Sequence, residues 1–203
     1  MARSPDPVLK QHLLDHVVRY LADHGLGVVS LRPMAEALGM SPHRLVHHFG
    51  AKDELLAAAL ARAIEIQEEI QAGWLAAEPG IAYPDLLRKW WYWTAADPAN
   101  LALVRLGLEA AALDATVTGL ATEVRAQQIG VWRELMEANF RSVGLGRAEA
   151  AIEASIVKAA FTGLIIDVMV SGDRRRCTKA LEREMARLEA RLADVSRLSA
   201  HDE

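Results

Sequence analysis

Apolar residues recur along most of this chain at spacings of three and four, the period of a helix with one dry face. Leu9, Leu13, Leu14, Val17, Val18 and Leu21 form the first such run, opened by Asp6-Pro7 as cap and first helical residue and closed by Gly25. Leu31, Met34, Ala35 and Leu38 predict a second, short helix. Ser30 stands where it can cap that helix, and Pro33 falls in the first turn, where proline is tolerated. Gly39 stops it. Ser41 and Pro42 restart the chain, and Leu45 and Phe49, four apart, give a third helix its inward face. The other face of that helix carries His43, Arg44, His47 and His48. A fourth helix runs from about Lys52 to Ala76 with Leu55, Leu56, Ala59, Leu60, Ala63 and Ile66 inward, until Glu78-Pro79-Gly80 breaks the pattern.

Beyond that break every segment again reads as helix: about Tyr83–Ala96, Ala99–Leu113, Val117–Val143, Arg147–Val170 and Cys177–Leu198. The interruptions are Asp97-Pro98, Gly144-Leu145-Gly146 and Ser171-Gly172-Asp173, and no alternating run of β-branched residues is long enough for a strand. Arg174-Arg175-Arg176 reads as a solvated approach to the last helix. The expected fold class is therefore all-α, with about nine helices. In the last of them Leu181, Met185, Leu188, Leu192 and Val195 form a heptad seam flanked by charges, the clearest association signal in the chain, with packing inside one chain as the alternative.

Two short helices joined by a three-residue turn, the second offering long donor side chains, make the arrangement that presents a recognition helix to a DNA major groove. Ser30-Leu31-Arg32, Met34-Ala35, Leu38-Gly39-Met40-Ser41, Leu45 and the run His48-Phe49-Gly50-Ala51-Lys52-Asp53-Glu54-Leu55-Leu56 resemble the helix-turn-helix of the TetR family of ligand-responsive transcriptional regulators. The HFGxKxELL continuation is the specific part. Val46 departs from the family pattern, standing where members usually have a tyrosine that touches the DNA backbone.

The resemblance implies an N-terminal three-helix helix-turn-helix head (1–51) on a larger helical ligand-binding and dimerisation body (52–203). Carried onto this sequence, the DNA-facing set is Ser30, Arg32, Ser41, Pro42, His43, Arg44, His47, His48 and Lys52. The last two long helices of each subunit would form a four-helix dimer interface, with Ile152, Ala159 and Gly163 from one and Leu181, Met185, Leu188 and Leu192 from the other. The implied function is that of a homodimeric regulator, a repressor released from its double-stranded operator by a small apolar or aromatic effector. The competing expectation is a helical ligand-binding or scaffold protein with no specific DNA binding.

Charge supplies the motive for that alternative. The 203 residues have a formal charge of -4, and within residues 1–57 six Lys and Arg meet six Asp and Glu, so the head has no broad basic field. It does hold six of the seven histidines, and a phosphate backbone favours the protonated imidazole. The remaining composition, 52% hydrophobic and 25% charged, is that of an ordinary soluble globular domain. No positive-then-apolar leader opens the sequence, and its most apolar stretch, 156–170, is short and broken by Lys158 and Asp167. A cytoplasmic protein with no membrane partner is expected, and Cys177, being single, excludes an internal disulfide.

All five tryptophans lie outside the head. Trp90 and Trp93 share a face of their helix, and Trp132, Met136 and Phe140 form a second stripe with Gln128 nearby. By resemblance to the family, Trp90, Trp93, Gln128, Trp132 and Met136 would line the effector cavity, an aromatic wall suited to a flat apolar ligand or to a cation over an indole face. Aromatic stripes at this spacing also simply fill cores. His43 and His47 have the spacing of paired zinc ligands, but no cysteine or HExxH-type glutamate completes a site, so no metal is expected. No phosphate-binding glycine loop, nucleophile elbow or supported pair of catalytic carboxylates appears, so neither an enzyme nor a cofactor is expected.

Overall fold

The computed structural model describes residues 7–27, 29–113 and 133–199. Among the described residues there are nine helical segments and no strand: α1 (Pro7–His24), α2 (Leu31–Ala37), α3 (Pro42–Phe49), α4 (Lys52–Ala77), α5 (Tyr83–Ala96), α6 (Pro98–Leu113), α7 (described over 133–142), α8 (Arg147–Ser171) and α9 (Arg174–Ser199). The all-α expectation holds, and most element ends fall within a residue or two of those read from the pattern. The chain divides into two compact units, one of Met1–Gly73 and Ala99–Gln128, the other of Trp74–Pro98 and Ile129–Glu203.

In the first unit α2 packs against α1 and α3. Val17, Val18 and Leu21 of α1, Met34 and Ala35 of α2, Leu45 and Phe49 of α3, and Leu55, Leu56, Ala59 and Leu60 of α4 are all buried, so each helix spends its apolar stripe on this unit's core. Gly25 ends α1 in the left-handed region (φ 79°), donating its N–H to the Leu21 carbonyl at 2.8 Å. Arg62 is buried on α4 and would be costly there without partners. It has three: Nε donates to Asp15 of α1 at 2.7 Å, and Nη1 to Glu69 at 2.7 Å and Glu65 at 3.2 Å. Those carboxylates, Asp15 foremost, hold the guanidinium in its charged form. On α6, Arg105 donates to the Ala22 carbonyl at 2.7 Å while Glu109 accepts from Leu26 N at 2.8 Å, so one ion pair satisfies backbone groups on both sides of the turn that ends α1.

In the second unit α9 lies against α5 and α8. Here the structure corrects one expectation. Leu181, Met185 and Leu188 are 0%, 1% and 2% exposed, so the seam is buried in its own chain, together with Cys177, and is not offered to a partner. The physical reason is supply: α5 and α8 present apolar faces to α9, including Ala150, Ala154, Val157, Ile165 and Val168. Leu192, toward the helix end, is half-buried. Trp91 anchors the contact by donating Nε1–H to Thr178 Oγ1 at 2.9 Å and meeting Phe161 edge to face at 5.7 Å.

A second correction concerns the start of α9. The three arginines belong to its first turn: Asp173 accepts from Arg176 N at 3.0 Å as a cap, and the Arg176 guanidinium chelates both oxygens of Asp167 at 2.7 and 2.8 Å. That bidentate bond draws the Asp167 carboxyl down to about 2.

Helix α8 uses only one side on this core. Ile152, Ile156, Ala159, Gly163, Ile166 and Val170 recur at spacings of 4, 3, 4, 3 and 4, and all are exposed. Among the described residues it is the one helix long and apolar enough by length and composition to cross a membrane, yet only 22% of that window is buried inside the chain. An outward apolar stripe of this kind calls for something to cover it.

Candidate nucleic-acid interface and associated pocket

Ser30 and Ser41 stand in the same place before α2 and α3, and only one of them caps with its side chain. Ser41 Oγ accepts from Arg44 N at 3.2 Å. Ser30 makes no such bond, because the corresponding third position of α2 is Pro33, which has no N–H. Its carbonyl accepts from Met34 N at 3.3 Å instead, so the capping expectation for Ser30 is met in position but not in hydrogen bonding. Between the helices Gly39 takes φ 66°, and its N–H reaches Glu36 O while Met40 N reaches Ala35 O, closing α2 and turning the chain toward α3.

Leu45 and Phe49 fix α3 from below, and Lys10 Nζ sits 5.7 Å from the Phe49 ring centroid. The opposite face is thereby free to carry His43, Arg44 and His47, all exposed, with Val46 beside them at 41%. His48 is half-buried, with Nδ1 enclosed and unbonded among the described residues. Ser30, Arg32, Ser41, Pro42 and Lys52 are exposed as well. Eight of the nine residues expected to face DNA are thus accessible, in two neighbouring helices and the start of α4, and His48 is the partial exception.

The FGxKxELL continuation has a local explanation. Gly50 closes α3 with φ 82° and ψ -151°, a region that only glycine occupies comfortably, and donates its N–H to Val46 O at 2.7 Å. Glu54 reaches back from the third position of α4 to accept from Ala51 N at 2.6 Å, and a Cβ on Gly50 would fall on that carboxylate. Glycine and glutamate therefore fit one another, and together they set the angle at which the chain leaves α3 for α4.

What the pattern did not reveal in this unit is Arg62 and the Arg105–Glu109 pair. Each looks like an ordinary solvated charge on a helix, and only the four-residue spacing of Arg105 and Glu109 hinted at an ion pair.

The expected effector residues are only partly described. Trp90 is buried and stacks on half-buried Trp93, with centroids 4.9 Å apart and planes 25° apart; Met136 is buried on α7. Gln128 and Trp132 lie outside the described residues. Trp74, at the end of α4, stands edge-on to both Trp90 and Trp93. An open cavity of about 590 Å³ is lined by Trp74, Trp93, Tyr92 and the charged residues of α5, and Trp90 and Met136 are not in its wall. Burial pushes the Tyr83 hydroxyl toward its neutral form, and it is unbonded among the described residues, as is Thr94 Oγ1 on the same helix. No cluster of three or more metal-ligating side chains occurs among the described residues.

Of the expected interface residues, Ile152, Ala159 and Gly163 are exposed on α8, whereas Leu181, Met185 and Leu188 are not available.

An exposed polar face on a short helix, held by a glycine turn over a three-helix core, defines the class: an all-α protein with an N-terminal helix-turn-helix head. Residues 13–59, the helix-turn-helix head, match the family model of the bacterial regulatory proteins of the tetR family. HTH-type transcriptional regulator BetI of Rhizobium meliloti (strain 1021) is 34% identical over 55 residues, a match that spans 27% of each chain. A TetR-like transcriptional regulator from Rhodococcus sp. RHA1 superposes with a TM-score of 0.66 at 22% identity, covering 93% of this chain and 99% of that one. The multidrug binding protein EbrR, complexed with imidazole, gives 0.58 at 23% identity over 90% of this chain and 93% of its own. At these identities the structural likenesses show the fold alone.

Proposed function

We propose that this protein is a homodimeric, non-enzymatic transcriptional regulator of the TetR type, acting in the cytoplasm, which binds double-stranded operator DNA through α3 and releases it when a small molecule occupies the body. The observation that carries the reading is the α3 face, where His43, Arg44 and His47 stand exposed on a helix pinned by Leu45 and Phe49, in the segment that matches the family. Arg44 is suited to a base edge and Lys52, opening α4, to a phosphate. With a neutral head, affinity depends on these placed donors and on helix N-termini, not on a basic field.

The outward stripe of α8 supports the dimer, with a second copy as its occupant. Small Ala159 and Gly163 at its centre allow close approach of two helices, and Ile152, Ile156, Ile166 and Val170 flank them. Lipid is the poorer partner, because the same helix carries Glu153 paired to Arg191 at 2.6 Å and Asp167 chelated by Arg176. The proposed interface is therefore on α8, with Leu192 of α9 at its edge.

For the effector, the indole cluster of the second unit is the proposed site, with Trp90, Trp93 and Met136 joined by Gln128 and Trp132. EbrR, as a multidrug binding protein of the same fold, supports a body that accepts small molecules. The functional boundary is proposed at residues 51 and 52: α4 starts directly after the glycine that ends α3, so a ligand that favours one setting of α4 biases the angle of the recognition helix. Release then requires tighter ligand binding to the conformation that does not match DNA.

Gel retardation on the DNA upstream of the chain's own gene tests the reading. Specific retardation that weakens steeply with salt is expected; no retardation at low salt would leave the helical ligand-binding alternative, for which the neutral head and Val46 are the motive.

A further inference from the structure

The outer face of α5 bounds a cleft that shares only Trp93 with the effector site proposed above. Asp85, Arg88, Lys89 and Tyr92 recur at helical spacing opposite the buried face of Leu86, Leu87, Trp90 and Trp91. With the end of α4 they border a shallow, solvent-open groove of about 590 Å³. Its aromatic wall is held by ring contacts. Trp93 is backed by the buried Trp90, and Trp74 braces both edge-on, with centroids 6.2 and 6.4 Å away, so the indoles cannot fold into the space without giving up ring contacts.

The pairing of the charges around the cleft, beside its aromatic faces, bears on the sign of its ligand. Arg88 is fully engaged by three carboxylates, Asp85 at 2.8 Å, Glu182 at 2.9 Å and Glu189. Lys89 holds Glu78 at 2.6 Å. Within the lining Glu78 and Asp85 balance Lys89 and Arg88, and Glu182 and Glu189 of α9 add two further carboxylates on Arg88. The two pairs are not equivalent. Arg88 is mostly buried and chelated, whereas Lys89 and Glu78 are 40% and 55% exposed, and such a pair is worth only about 0–1 kcal/mol. Glu78 can therefore exchange Lys89 for another cation at little cost, beside an aromatic corner whose faces attract positive charge.

We propose that this cleft binds a small organic cation, with an ammonium group held against the indoles of Trp74 and Trp93 and with Glu78 as its counter-ion. The binding itself is independent of whether the protein reads DNA.

Benzyltrimethylammonium titrated into the full-length protein should perturb indole fluorescence saturably, with a matching heat by calorimetry. Benzenesulfonate, the same ring with opposite charge, should do neither. Glu78→Gln, at an exposed position, should weaken the cation about threefold and Trp74→Leu by a similar factor, with Glu78→Asp recovering most of the loss. Unchanged circular dichroism would show that each variant is folded. Absence of saturable binding up to about 10 mM, or equal affinity in wild type and both variants, overturns the site. Preferential binding of the sulfonate overturns it too, by showing that Lys89 leads. Cation binding by a protein that retards no DNA supports the cleft while rejecting the regulator reading.

Discussion

Ser41 and Ser30 are the same residue in the same position before a helix, and they should respond differently to truncation. Ser41→Ala removes the acceptor for Arg44 N and should cost about 1 kcal/mol in urea unfolding, whereas Ser30→Ala removes no cap bond and should stay within a few tenths. Equal losses would mean that Ser30 bonds in solution despite Pro33. On the exposed side of the head, Arg44 and Lys52 should also differ in kind. Arg44→Ala should cost about 1–3 kcal/mol of operator affinity and relax the preference at one base pair, while Lys52→Ala should weaken all sequences alike and reduce the salt slope by about one. Anisotropy titrations against single-base operator variants at several salt concentrations separate the two. At this scale the head was largely readable, because caps, glycines and alternating faces are local signals. Arg62 was not: a buried arginine looks like a solvated one until Asp15, 47 residues away, is seen to meet it.

Between elements, the limits of pattern reading are clearest on α8 and α9. The seam of α9 announced that one face is dry, but periodicity does not say which neighbour dries it, and α5 and α8 of the same chain do so. On α8 apolar residues occur on both sides, so the outward stripe had no polar background to stand against. The two helices should consequently answer a buried charge in opposite ways. Leu188→Glu should unfold or severely destabilise the chain, by several kcal/mol, through a charge placed in the core. Ile156→Glu, on the exposed stripe, should leave helicity intact and convert a dimer to a monomer by sedimentation; a folded dimer in that variant would refute the proposed interface. The corner between these helices is expected to be acid-sensitive. Asp167 is drawn down to about 2 by Arg176, against an ordinary aspartate near 3.9. A depressed carboxylate stabilises the fold above its unfolded value and loses that contribution as pH falls from about 4 through 2. Carbon NMR of the Asp167 carboxyl should give a midpoint near 2, and Arg176→Ala should return it toward the ordinary range.

For the molecule as a whole, the all-helical class and the family of the head were legible, since helix period and the HFGxKxELL run survive without any tertiary knowledge. The grouping of α6 with the head was not, because it depends on Arg105 and Glu109 meeting a turn more than eighty residues earlier. The outward stripe of α8 has a further consequence for a cell that makes two versions of this protein. Assembly, on the proposed interface, uses residues that belong to a different compact unit from the recognition helix. A copy with a disabled head would still pair with intact copies and leave each mixed pair gripping half a palindrome. Arg44→Ala expressed beside the wild type should therefore poison regulation of a reporter out of proportion to its abundance, and Ile156→Glu added to the same copy should make it harmless. A defective allele would then be dominant, and a second mutation in α8 would make it recessive.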